Sequence, residues 1–169
     1  MRMVHFTRIL LLAAAAISSA VVFAETVTGR VVAVADGDTV TVLDSTNTHW
    51  KIRLSGIDAP EKKMPFGQRS KQSLSDKVFN KVVTVEYSKR DKYGRTVGKV
   101  LVDGVDANLE QIKAGLAWHY KKYEKEQAIE DRLTYAEEEE KARAAKKGLW
   151  ADANPVPPWD WRKQQRNKD

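Results

Sequence analysis

The chain has 169 residues, a formal charge of +6 and no cysteine. Without thiols, a disulfide framework and a lipidated cysteine are both excluded. The modest basic excess favours a polyanionic partner, nucleic acid or an anionic lipid surface, but is too small to choose between them.

Residues 1–24 read apart from the rest. Arg2 and Arg8 precede an uncharged apolar stretch that ends Val22-Phe23-Ala24, the pattern of a secretory signal with small residues at the cleavage site. The stretch falls short of the roughly 20 apolar residues a spanning helix needs. Cleavage after Ala24 is therefore expected, leaving no stable membrane span and a secreted or periplasmic protein. Losing those two arginines lowers the balance from +6 to +4, and the remaining length suits a single domain, expected as a monomer. Its bounds are expected at 25–150, with a tail over 151–169.

Residues 26–35 are rich in β-branched side chains, and Asp36-Gly37 separates them from Thr39-Val40-Thr41-Val42-Leu43, which predicts a hairpin. A third strand is expected over 48–55, where Trp50, Ile52 and Leu54 alternate with His49, Lys51 and Arg53. The apolar set faces a core and Arg53 projects to the other side. After a loop over 58–67, Leu74 and Val78 lie one helical turn apart and predict a helix over 68–79, with Ser70 and Lys71 among its polar positions. Strands follow over 81–88 and 96–102, separated by the Asp91–Arg95 turn. Leu109, Ile112 and Leu116 mark a second helix, and a long helical segment is expected from about 124 to 147, before Gly148. Five strands with a helix between the third and fourth give an α+β chain with the order of an OB-fold barrel and about three helices. The proline-dense segment 151–161 is expected to be extended, and Glu137–Glu140 to be a solvated helix face.

Three charged strings stand out: Asp36-Gly37-Asp38-Thr39, Arg53 through Ile57-Asp58-Ala59-Pro60-Glu61, and Asp91-Lys92-Tyr93-Gly94-Arg95. Each has a plain structural reading. Asp-Gly-Asp is ordinary hairpin punctuation, and Asp58 with Glu61 can form an N-terminal capping box, although Pro65 and Gly67 would break such a helix at once. Taken together, Asp38, Asp58 and a backbone oxygen at Ala59 make a hard-oxygen set that suits calcium or magnesium better than zinc. Glu61, three residues from Asp58, is placed to activate a water beside that cation. Arg53 and Arg95 come from separate segments, and their planar forks suit the non-bridging oxygens of a phosphoryl group.

In this order the strings resemble the staphylococcal nuclease (thermonuclease) family, and the resemblance extends over about 31–150, through Gly115-Leu116-Ala117 and Gly148-Leu149-Trp150. It implies a calcium-dependent OB-fold nuclease that cleaves DNA and RNA, prefers unpaired strands and leaves 3′-phosphorylated products. By position, Asp38 and Asp58 match the family's metal carboxylates and Ala59 its backbone-carbonyl ligand, where the best-known member has Thr. Glu61 matches the proposed general base, and Arg53 and Arg95 the catalytic arginines. Lys92 and Tyr93 match positions near the nucleotide phosphate. Tyr120 or Tyr123 matches the aromatic contact after the second helix, although Trp118-His119-Tyr120 departs from the family's spacing. Core packing is an equal reading for Tyr120 and the better one for Trp118.

Two other readings remain open on the sequence. A non-catalytic OB module would use the same basic face and aromatics to bind nucleic acid without needing Glu61 and both arginines. A histidine-based ribonuclease would pair His49 with His119, whose spacing does not specify convergence.

Overall fold

Alternating apolar residues between positions 25 and 102 wrap into a closed barrel in the computed structural model, which describes residues 25–167. The expected signal segment lies outside the described residues. The longest strand, β1 (Glu25–Asp36), pairs antiparallel with β2 (Thr39–Asp44) on one side and with β5 (Val82–Arg90) on the other. Next to β2 runs β3 (His49–Leu54), and next to β5 runs β6 (Thr96–Val102). A parallel pairing of β3 with β6, Arg53 opposite Val97, closes the ring. The five expected strands thus form the barrel. Three two-residue strands add to them: β7 (Val105–Asp106) extends β6, and β4 (Ile57–Asp58) pairs with β8 (Trp118–His119).

Period-two alternation explains which side chains fill the barrel. Val31, Val40, Val42, Ile52, Leu54, Val85 and Val100 are fully buried, while Arg53, between two of them on β3, turns outward. At the β3–β6 closure, the Asn108 side chain donates to the carbonyls of Ser55 and Gly98 at 2.9 and 3.2 Å and accepts from the Val100 amide at 3.1 Å. One buried amide thereby bonds three backbone groups at the seam.

Helix α1 (Gly67–Val78) buries Ser70, Leu74 and Val78, spaced four residues apart, so Ser70 belongs to its inner face and not to the expected polar one. Its hydroxyl donates to the Leu116 carbonyl at 2.7 Å, which makes this burial tolerable. Helix α2 (Ala107–Lys113) is capped by Asp106, whose carboxylate accepts the Asn108 and Leu109 amides.

The expected long helix divides. A 3-10 turn spans Lys121–Glu126, and α3 (Ile129–Ala144) starts only after Gln127 and Ala128 adopt non-helical backbone. The interruption frees the Gln127 side chain to reach His119 at 2.9 Å and to lie against Gly56, where any Cβ would collide with it. On α3 the acidic run is not wholly solvated: Glu139 is buried, accepts the His119 amide at 3.0 Å and faces Lys121 and Arg143.

The tail is also not simply extended. Residues 158–166 form α4 (Pro158–Arg166), a fourth helix where about three were expected. Proline density misleads here because Pro158 occupies the first helical turn, where a missing N–H costs nothing and a fixed φ is already helical. Trp159 lies edge-on to Trp118, which also meets Trp150.

Two glycines lock α2 to the segment after α3. Gly115 and Gly148 both have positive φ, +64° and +54°, and a Cβ on Gly148 would sit 2.1 Å from the Gly115 carbonyl oxygen. Leu149 donates to that same carbonyl at 2.8 Å. Gly104, φ +80°, faces open space. Gly104→Ala should therefore cost about 1 kcal/mol for its backbone alone, and Gly148→Ala should cost at least ~2 kcal/mol because overlap with backbone adds to strain. Urea unfolding of the two variants measures the difference, and equal losses would refute the close-approach argument.

Candidate active site

The β1–β2 turn is the first element of the site. Gly37 brings it against α1, where a Cβ would lie 1.8 Å from the Ser70 hydroxyl. The Gln111 side chain ties both partners by donating to the Gly37 and Ser70 carbonyls, each at 3.0 Å. Asp38 is then oriented by three neighbours. Its Oδ1 accepts the Thr39 hydroxyl at 2.9 Å, its Oδ2 accepts the Ala59 amide at 3.0 Å, and its carbonyl accepts the Leu54 amide at 2.8 Å.

Asp58 arrives on β4, held in place by antiparallel pairing with Trp118. The following residues are loop and turn up to Gly67, so Asp58 and Glu61 do not cap a helix. Gly67 allows the start of α1 to approach the Glu61 carbonyl, 2.0 Å from where its Cβ would be. The loop therefore returns Glu61 to Asp58, and Arg162 contacts both carboxylates.

Arg53 links the carboxylates. Its Nη2 lies 3.0 Å from Asp58 Oδ1 and 3.6 Å from Asp38 Oδ2, and its Nη1 donates to the carbonyls of Leu54 and Ile57 at 3.2 and 3.0 Å. Burial alone would lower its pKa, but Asp38 and Asp58 raise it above the ordinary value. Arg53 thus stays charged.

These groups line one cleft of about 1180 Å³, together with Asp36, Lys92, Tyr93, Arg95, Tyr120 and Tyr123. All the site residues expected from the sequence border it. They are not equally close to the acidic centre: Arg95 is held on the Asp91–Arg95 turn by its own ion pair with Asp91 at 2.8 Å, beside the exposed ring of Tyr93. Tyr120 sits beneath the Arg53 guanidinium, with Trp159 stacked on it at 5.4 Å and 15° and Tyr123 edge-on at 5.2 Å. Tyr123 is the more exposed of the two tyrosines, with Lys89 and Lys122 over its ring. Trp118 is core, as expected. Neither His49 nor His119 lines the cleft: His49 is exposed on β3, and His119 is buried against Gln127.

Excess negative charge marks the centre. Burial, and then the charge of Asp38, push Asp36 up to about 6. Asp58 is also pushed up to about 6 by burial and by Asp38, against the pull of Arg162 and Arg53. Four carboxylates, Asp36, Asp38, Asp58 and Glu61, share this end of the cleft with two guanidiniums, Arg53 and Arg162, and a further cation would be stabilised among them. Among the described residues no group of three or more His, Cys, Asp or Glu is arranged as a metal cluster. Asp38 and Asp58 nevertheless share one Arg53 nitrogen, so one ion can reach both. With the Ala59 carbonyl and water completing its shell, such an all-oxygen set fits a hard divalent cation.

Two residues of the site were missed on sequence. Asp36 lies within the first string, and its Oδ1 accepts the Asp38 amide at 3.1 Å; its closeness to Asp38 was the available signal. Arg162 comes from α4, and its Nη1 and Nη2 contact Asp58 at 3.2 and 2.7 Å while Nη1 reaches Glu61 at 2.8 Å. No motif announced it.

A raised carboxylate pKa gives a signed pH effect. The folded protein holds a proton on Asp36 that the unfolded chain releases near pH 4, so this group's contribution to stability is present below about 4 and lost as pH rises through about 6. In chelator, the stability of the wild type relative to Asp36→Asn should fall between those two pH values. Urea titrations at pH 4, 5, 6 and 7 read it, and a flat difference would contradict the raised value.

Residues 51–152 match the model of a family described as staphylococcal nuclease homologue. A Haemophilus influenzae protein named an uncharacterized endonuclease is 44% identical over 139 residues, covering 82% of this chain and 75% of its own. An Escherichia coli protein of the same name is 47% identical over 135 residues, 79% of this chain and 84% of that one. A rice protein, Oryza sativa subsp. japonica, named a probable staphylococcal-like nuclease is 42% identical over 118 residues, 70% of this chain but 30% of its own length. With a barrel, a cleft and a sequence match that coincide, the chain belongs to the staphylococcal nuclease family.

Proposed function

We propose that this protein is a nuclease that hydrolyses phosphodiester bonds of DNA and RNA with a calcium ion, prefers unpaired strands and leaves 3′-phosphorylated products. The observation that carries the reading is the convergence of Asp38 and Asp58 on Arg53, with Glu61 joined to Asp58 through Arg162, in a cleft that Arg95 also lines. The relatives named endonuclease and staphylococcal-like nuclease support it.

Bound between Asp38, Asp58 and the Ala59 carbonyl, the cation would supply Lewis-acid stabilisation of charge on the phosphoryl group. The chain's own residues supply the remaining steps. Glu61, on the loop beside Asp58, accepts a proton from the attacking water or holds that water in line. Arg53 is fixed by two backbone carbonyls before substrate arrives, so its fork meets the developing charge with little reorganisation. Arg95 approaches from a different turn and contributes a second guanidinium to the same phosphate.

Exposed Tyr93 and Tyr123, each flanked by lysine, offer π-faces beside positive charge. Such pairs hold unpaired bases without reading their identity. Lys92 adds charge for the backbone, and Tyr120 serves as the packed wall behind Arg53. Export through residues 1–24 belongs to the same proposal and would place the activity outside the cytoplasm.

The test is hydrolysis of heat-denatured DNA and of RNA with calcium or chelator. Activity should require calcium, and Glu61→Gln and Arg95→Ala should each lower kcat by about 10²–10³-fold, the scale of a lost general base or charge-stabilising donor. Undiminished cutting in chelator would overturn the metal role. Binding without cutting would replace the enzyme by a nucleic-acid-binding OB module.

A further inference from the structure

Helix α4 places a positive charge where the proposed reaction requires a cation. Arg162 spans the two oxygens of Asp58, at 3.2 and 2.7 Å, and reaches Glu61 at 2.8 Å. Arg53 already occupies Asp58 Oδ1 at 3.0 Å. Both oxygens of Asp58 are therefore engaged by guanidinium groups. A divalent ion ligated by Asp58 would sit within a few ångströms of Arg162, where like charges repel strongly in a part-buried setting. The two cannot share this carboxylate without loss.

The helix that carries Arg162 is laid on the domain rather than built into it. Pro158 is its only buried residue. Its anchor is aromatic: Trp159 stacks on Tyr120 and meets Trp118 edge-on at 5.5 Å. About a third of the Arg162 side chain is exposed, against 1% for Asp58. A short surface helix of this kind opens locally at less cost than the barrel unfolds, and its arginine can leave without disturbing β4. Neither the 51–152 match nor any of the three strings includes it.

We infer that α4 is a tethered competitor for the cation site: Arg162 neutralises Asp58 and Glu61 in the cation-free protein and is displaced from Asp58 when the cation binds. This rests on the metal-dependent reading above. The apparent affinity for the ion is lowered by the fraction of molecules in which the arginine is docked. Arg162 thereby sets the cation concentration at which the site fills. It also keeps Asp58 and Glu61 from facing each other uncompensated while the site awaits its ion. A purely positioning role for Arg162, holding Glu61 toward the water, would have the opposite signature, with activity falling and ion affinity unimproved.

The experiment is calorimetric titration of calcium alone, without nucleic acid, into the wild type, Arg162→Gln and Arg162→Lys, together with amide exchange of residues 158–166 in the wild type with and without calcium. Arg162→Gln should bind calcium at least roughly tenfold more tightly, as expected if the docked form predominates about ten to one. Arg162→Lys, which keeps the charge but loses the fork, should fall between. Saturating calcium should speed exchange in α4, a readout that needs no variant. Equal or weaker binding by Arg162→Gln, or unchanged exchange in a wild type that binds calcium, overturns the competition and leaves the nuclease reading standing. Calcium binding by none of the three proteins overturns both.

Discussion

Two carboxylates held side by side out of water dominate this structure. Asp38 and Asp58 share the Nη2 of Arg53, and Asp58 is 1% exposed. Such an arrangement is costly unless each charge finds a partner. Much of the local architecture answers that requirement: the Thr39 hydroxyl and Ala59 amide on Asp38, Arg53 on both carboxylates and Arg162 on Asp58. The barrel supplies rigidity beneath them, since β2 and β3 carry the two loops and β4 is clamped to β8.

The residual imbalance gives the site its chemical character. Even with two guanidiniums at hand, Asp58 is pushed up to about 6. Burial is the main cause, and four carboxylates, Asp36, Asp38, Asp58 and Glu61, gather here with two guanidiniums, Arg53 and Arg162. A hard cation would relieve this, and the same ion would favour an incoming phosphate. The chain uses its arginines on both sides of that balance: Arg53 and Arg162 steady the acids, while Arg95 is kept apart by Asp91. A cation bound among these carboxylates would therefore couple to stability through the same few atoms.

The legible parts of the sequence were those written in local patterns. The alternation of Trp50, Ile52 and Leu54 identified both the core face of β3 and the outward direction of Arg53, and Asp36-Gly37 marked the hairpin turn that presents Asp38. Convergence was legible only through the order of three strings, because each alone is common turn chemistry. What could not be read depended on distant partners. Ser70 looks like a surface serine until Leu116 and Gly37 are placed beside it, and Glu139 is one of four consecutive acids until His119 selects it for burial. Gln127 breaks a helix because its side chain is used elsewhere. Arg162 is the largest omission: a proline-rich tail became a helix because Pro158 begins it, and Trp159 then found an aromatic surface more than thirty residues upstream.

The central claim is that one cleft brings a cation and a phosphate together. A crystal structure of the protein with calcium and a non-hydrolysable single-stranded dinucleotide tests it most directly. Calcium should lie roughly 2.3–2.6 Å from oxygens of Asp38 and Asp58 and from the Ala59 carbonyl, with the phosphate in contact with Arg53 and Arg95 and a water beside Glu61. Calcium bound away from these carboxylates, or a phosphate seated away from both arginines, would contradict it.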